Sequence, residues 1–193
     1  MDKRICAMVV GAALGVLASA ASATVLTFDD AGGDALMTDV AGGHYGGLDW
    51  TGGDWFAYGE AQDPYTAHSG DFRLVSGFED ADAATTIRFA TPATFQGAWF
   101  SGLGGATVTF DLYLHGTQVG TSATLDPNAT PQFLASGYAG LVDEIVVASP
   151  GQGSFAMDDF TFAPGVPEPA SLALMLAGLG VVALRARHAR ARA

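Results

Sequence analysis

Carboxylates are the residues of this sequence best placed to do chemistry. Two aspartate pairs stand out, Phe28-Asp29-Asp30 and Met157-Asp158-Asp159-Phe160, each beside a short alternating apolar stretch. Ca²⁺ takes a shell of about six to eight oxygens, so Asp29, Asp30, Asp158 and Asp159 are candidate ligands for a structural Ca²⁺ joining the first and last strands of a domain. The competing reading is that these aspartates cap turns and hydrate an acidic surface. No EF-hand spacing and no glycine-rich calcium nonapeptide accompanies them.

Aromatic residues are the second group with chemical use. Tyr45, Trp50, Trp55, Tyr58 and Tyr65 crowd a glycine-dense region, with Phe56 among them. A ring exposed beside carboxylates and amides can stack on the apolar C–H face of a sugar while its neighbours bond the hydroxyls, so these five are the candidate ligand-binding residues. Trp50 and Trp55 could equally fill a core, and Trp99, between Ala98 and Phe100, reads as core. The histidines, His44, His68, His115 and His188, show no paired zinc spacing. There is no Gly-x-Ser-x-Gly elbow, phosphate loop or dinucleotide fingerprint, so no catalytic residue is assigned. Two carboxylates at glycosidase separation remain possible in a chain this acidic, with Asp54 and Glu60 the acids nearest the aromatic cluster.

Charge narrows the choice of partner. From Thr24 to Ala163 the only basic residues are Arg73 and Arg88, against eighteen acids, so this part carries minus sixteen while the whole chain carries minus twelve. Nucleic acid and anionic membrane surfaces are bound by lysine and arginine, and are excluded as partners of such a domain. Cations, neutral sugars and proteins remain. The single cysteine, Cys6, precedes the domain, so no disulfide or cysteine metal site is available to it.

The elements that must position these residues read as β-strands. Thr24–Phe28, Thr85–Phe89, Phe95–Phe100, Thr107–Leu114 and Glu144–Ala148 are strand-length and rich in β-branched and aromatic residues. A hairpin is expected at His115-Gly116, a turn at Asp126-Pro127-Asn128, and short strands at Leu48–Trp50 and Trp55–Ala57 within long loops from Gly32 to Gly59. Some eight to ten strands without an amphipathic helix predict one all-β domain, an antiparallel, jelly-roll-like β-sandwich over residues 24–163. Residues 1–23 have the form of a signal peptide: Lys3 and Arg4, an apolar stretch, then Ala21-Ser22-Ala23, where signal peptidase would cut before Thr24.

The most specific pattern lies in residues 164–193. Val166-Pro167-Glu168-Pro169 is followed by an apolar run over 170–184 and by Arg185, Arg187, Arg190 and Arg192. Flanking prolines keep Glu168 in extended chain, the apolar run is a short transmembrane helix, and the arginines hold its end at the cytoplasmic side of the inner membrane. This three-part order resembles the PEP-CTERM sorting signal. The resemblance implies recognition by an exosortase-type membrane protease, cleavage near Pro167-Glu168-Pro169, and delivery to the cell surface or extracellular matrix of a Gram-negative bacterium that makes exopolysaccharide. The acid-pair phrases, with Gln96–Phe100 and Gly140–Ile145 between them, look like the jelly-roll ectodomains often joined to such tails. The expected function is an exported, non-catalytic binding or adhesion module associated with exopolysaccharide. The alternatives are an extracellular carbohydrate-active enzyme and a purely structural matrix protein.

Overall fold

The computed structural model describes residues 22–76, 85–150, 154–165 and 178–180. The expectations for the leader through Ala21, the Pro-Glu-Pro motif, the apolar run apart from 178–180, and the four closing arginines therefore lie outside the described residues. The chain divides into two units. In the unit formed by Met1–Ala20 and Val166–Ala193, the described residues 178–180 are helical. Among the described residues no helix is long and apolar enough to cross a membrane.

The unit Ala21–Gly165 holds all of the described strands. In chain order these are β1 (Thr24–Leu26), β2 (Ala35–Leu36), β3 (His44–Tyr45), β4 (Leu48–Asp49), β5 (Trp55–Tyr58), β6 (Arg73–Ser76), β7 (Thr86–Gly102), β8 (Thr109–Leu114), β9 (Thr117–Thr121), β10 (Gln132–Ala135), β11 (Val142–Ala148) and β12 (Phe155–Pro164). Their pairings are all antiparallel. The main path runs β2-β5-β6-β12-β7-β11-β8-β9, with β1 added to β12, β10 and β4 to β7, and β3 to β4.

β7 ties the molecule together because it changes partners along its length. Its first part lies between β4 and β11, with Phe89 opposite Leu48 and Arg88 opposite Glu144. Its second part lies between β12 and β10, with Phe100 opposite both Met157 and Gln132. Pro92, which has no N–H to give a ladder, sits at the changeover between the β4 and β12 pairings. The sequence predicts two strands here, Thr85–Phe89 and Phe95–Phe100; the structure makes one, because the proline occupies the corner instead of ending the strand.

Two layers result, and aromatic side chains fill the space between them. Phe110 of β8 meets Phe95 and Phe100 of β7 at ring-centroid distances of 4.8 and 5.6 Å although the two strands do not pair. Phe160 of β12 stacks on Phe95 at 4.7 Å and meets Trp50 edge-on at 6.0 Å. Each ring taken fully out of water contributes about 2 to 3 kcal/mol, which is how a domain without a disulfide holds together. The architecture is the expected antiparallel β-sandwich, with twelve strands among the described residues in place of eight to ten. The hairpin at His115-Gly116 forms as expected, both residues at positive φ (51° and 74°).

Candidate ligand-binding site

The outer face of the β5-β6-β12-β7-β10 layer is covered by one loop, residues 59–72, and the sequence builds that loop from its attachments. At its base Gly59 donates its N–H to Asp34 at 2.9 Å and lies against the ring of Phe72, where a Cβ would come within 2.9 Å of the ring. At its far end Asp29 accepts the N–H groups of Asp71 and Phe72 at 2.9 and 3.0 Å. These bonds hold the Asp29 carboxyl below the usual carboxylate range. Gly70 stands at φ +52°, and a Cβ there would fall 2.1 Å from Asp29 Oδ2. Asp29 has room to reach the loop only because residue 70 is glycine.

The middle of the loop is held by the second acid pair. β12 carries a bulge after Asp158, where Asp159 takes φ 46° and the register to β7 shifts. Asp158 accepts the N–H groups of His68 at 2.7 Å and Ser69 at 2.9 Å through one oxygen, and that of Asp159 at 2.7 Å through the other. Asp159 accepts Ser69 Oγ at 2.7 Å and lies 2.5 Å from His68 Nδ1. With Asp158 only 2 % exposed and Asp159 7 %, burial first, and then the neighbouring Asp159 charge, push the Asp158 carboxyl up to about 6. His68 is further pinned by a parallel stack on Trp99, 3.5 Å between centroids, and Phe133 closes in on Trp99 from β10 at 5.6 Å. Ser101 of β7 donates to Thr66 O at 2.7 Å.

Under the loop lies Arg73, 2 % exposed. Its guanidinium donates to the carbonyls of Tyr65 (2.7 Å), Asp71 (3.0 Å), Glu60 (2.5 Å) and Tyr58 (3.5 Å), and sits 4.0 Å from the centroid of the Tyr58 ring. The loop closed in this way leaves a pocket of about 390 Å³ whose lining includes Gln62, Asp63, Tyr65, Thr66, Asp71 and Arg73. That size suits one or two sugar rings, and the lining mixes an aromatic ring with amide, carboxylate and backbone groups.

The sequence-predicted residues meet different fates. Tyr65 lines the pocket, and Tyr58 lies nearly buried beneath Arg73. Trp50 and Trp55 are corrected from ligand face to core: they are 0 % and 1 % exposed, and each packs edge-on against the other at 6.2 Å. Trp55 points inward from β5 and Trp50 follows directly on β4 into the same core, so neither ring faces a solute. Tyr45 is half-buried, stacked on Phe28 and donating its hydroxyl to Asp30, and burial with the Asp30 contact pushes its phenol up. The acid pairs do converge, since Asp29, Asp158 and Asp159 all act on residues 68–72, but their lone pairs accept N–H and O–H donors. Among the described residues no group of three or more His, Cys, Asp or Glu side chains is placed to hold a metal ion. Trp99, read from sequence as core, is instead half-buried on the outer face, and His68 and Phe133 beside it carry no local signal, because β12, β10 and the loop meet them from far along the chain.

Comparison with solved structures finds family 29 carbohydrate binding modules. One is at 15% identity and TM-score 0.40, covering 79% of this chain and 98% of the module. A tyrosine-to-alanine variant of CBM29-2 gives 15% identity and TM-score 0.40, covering 76% of this chain and 94% of the other. A lysine-to-alanine variant of the same module, complexed with cellulohexaose, gives 13% identity and TM-score 0.38, covering 60% of this chain and 82% of the other. No curated protein matches the chain in sequence. Residues 165–191 match the family model of the PEP-CTERM protein-sorting motif, and the chain therefore carries the sorting signal of an exported protein processed by exosortase.

Proposed function

We propose that the protein is a non-catalytic binding or adhesion module, delivered outside the cell through its sorting tail, that holds extracellular polysaccharide by taking a sugar unit into the 59–73 pocket. The observation that carries this reading is the pocket itself: a 390 Å³ space built by a loop tied down at Asp29, Asp34, Asp158 and Asp159 before any ligand arrives. A loop already ordered loses little further freedom on binding, which favours recognition of a weakly binding neutral solute. Tyr65 offers the ring for a sugar's C–H face, and Gln62, Asp63 and Asp71 offer partners for its hydroxyls.

The same geometry argues against catalysis. A carboxyl raised to about 6 would suit a general acid, yet Asp158 is buried and its oxygens are engaged by three backbone N–H groups. Its work is to position the loop. Binding of neutral oligosaccharides, followed by calorimetry on the full chain, tests the proposal: Tyr65→Ala should weaken it by about tenfold or more. Turnover of a bound polysaccharide that disappears in Asp54→Ala or Glu60→Ala would replace this reading with the enzyme. Retention of no glycan at all would leave a structural matrix protein.

A further inference from the structure

We propose that the 59–73 pocket prefers sugar units that carry a free, protonated amine, such as unacetylated hexosamine, over their acetylated, neutral or acidic counterparts. The inference rests on the reading of this pocket as a sugar site and concerns which sugar it takes. Two carboxylates in the lining, Asp63 and Asp71, accept no hydrogen bond and make no ion pair among the described residues, although Asp71 uses its backbone N–H and carbonyl. They are the pocket's unspent charge.

The positive charge that would ordinarily balance them is spent elsewhere. Arg73 is nine-tenths and more buried, and its N–H groups are directed to four backbone carbonyls while its plane rests on Tyr58. A guanidinium committed in this way adds a positive potential behind the pocket but has no fork left to grip a sugar carboxylate bidentately. Arg88 is the other basic residue between Thr24 and Gly165, and its Nε is bonded to Glu144 at 2.8 Å. No arginine fork is thus set to receive an acidic sugar in this pocket, and the surrounding field of minus sixteen repels one. An ammonium gains from both: it pairs with Asp63 and Asp71 at short range and is drawn in by the field at long range. Gln62 and Tyr65 then serve the ring's hydroxyls and its apolar face, as they would for any hexose.

Calorimetry of the full chain with three matched tetrasaccharides tests this: β-1,4-linked glucosamine, its fully N-acetylated form, and cellotetraose. The glucosamine tetramer should bind roughly tenfold more tightly than either of the others at low salt, with the ratio falling toward twofold near 1 M salt as screening shortens the range of the field. Asp63→Asn combined with Asp71→Asn should bring the affinity for the glucosamine tetramer down to that for cellotetraose in the same variant, while Tm stays nearly as before because the printed bonds of Asp71 run through its backbone. A control pair of equal charge change away from the pocket lining, Asp39→Asn with Asp126→Asn, should keep most of the preference. Equal or weaker binding of the amine form overturns the proposal while leaving the sugar reading intact. So does a control pair that erases the preference as fully as the pocket pair, which would assign it to the diffuse field. Binding of none of the three tetrasaccharides overturns both this proposal and the sugar reading.

Discussion

At the scale of single residues, the clearest behaviour belongs to the two aspartates that clamp the loop with opposite pH dependence. Asp158 has its folded pKa raised to about 6 from 3.8, so the native state holds its proton more tightly than the unfolded chain does. Its contribution is therefore fully present below about pH 4 and is lost as pH rises through 6, worth roughly 2 to 3 kcal/mol across the window. Asp29 is lowered, so its contribution is present above 3.8 and disappears as pH falls below that value. Denaturant titrations of stability between pH 3 and 7 should show both limbs. Asp29→Asn should flatten the acid limb, and Asp158→Asn should flatten the fall between about pH 4 and 6. Asp158→Asn should also lower stability at every pH, because an amide places an NH₂ against one of the N–H groups that the carboxylate now accepts. An unchanged slope in that pH window would mean that Asp158 titrates normally. Oxygens of Asp29 and Asp159 accept N–H and O–H donors as the structure places them, so a Ca²⁺ held by the acid pairs would compete with the bonds that fix the loop. Addition of EDTA should leave Tm unchanged, and a drop of several degrees would show that the acid pairs rearrange to bind the ion.

Elements explain why the loop has its shape, and they also mark what a sequence can and cannot reveal. Gly70 tests the clamp directly: an alanine there would carry a Cβ into the Asp29 carboxylate and sit at φ +52°, which costs about 1 to 2 kcal/mol even before the collision. Gly70→Ala should therefore destabilise the protein by about 2 to 3 kcal/mol and weaken sugar binding. The control Gly104→Ala meets nothing within 4 Å, carries no positive φ, and should change little. The alternating strands at Thr24, Thr107 and Glu144, and the hairpin at Gly116, were legible because period-two patterning and turn chemistry are local. β6 and β10 were not: Arg-Leu-Val-Ser and Gln-Phe-Leu-Ala are four residues long and gain their strand identity from β5, β12 and β7 alone. Tyr65 could be placed on a loop from its neighbours, and it does line the pocket, whereas Trp50 and Trp55 could not be told from core without the packing that buries them. The His68 and Trp99 stack was out of reach for the same reason, since a bulge in β12 and a loop ninety residues earlier must meet to create it.

For the molecule as a whole, the constraint to explain is that folding ends where sorting begins. β12 is flanked on both sides as far as Phe162, which lies opposite both Thr24 of β1 and Phe95 of β7, and Pro164 is still paired on one side, opposite Ala93. Gly165 still donates its N–H to Pro92 O at 3.2 Å, and the matched sorting motif starts at residue 165. A cut near Pro167 therefore removes no residue that pairs in the described fold, while a cut before Phe162 would strip β1 of a partner and take Phe162 out of its contacts with Phe89 and Phe160. The loss of one such buried ring costs about 3 to 5 kcal/mol, a large share of the stability expected for a domain of this size. Processing should thus be silent for folding within a narrow window. Intact mass and fractionation of the chain expressed with an exosortase should give an external species beginning near Thr24 and ending near Pro167, with a Tm equal to that of the uncut domain. A chain ended at Gly165 should match it, and one ended at Phe160 should fail to fold. If the external species instead ended several residues inside β12, the last strand would be dispensable, and the exact abutment of fold and signal would be an accident of sequence with no role in protecting the domain from its own processing.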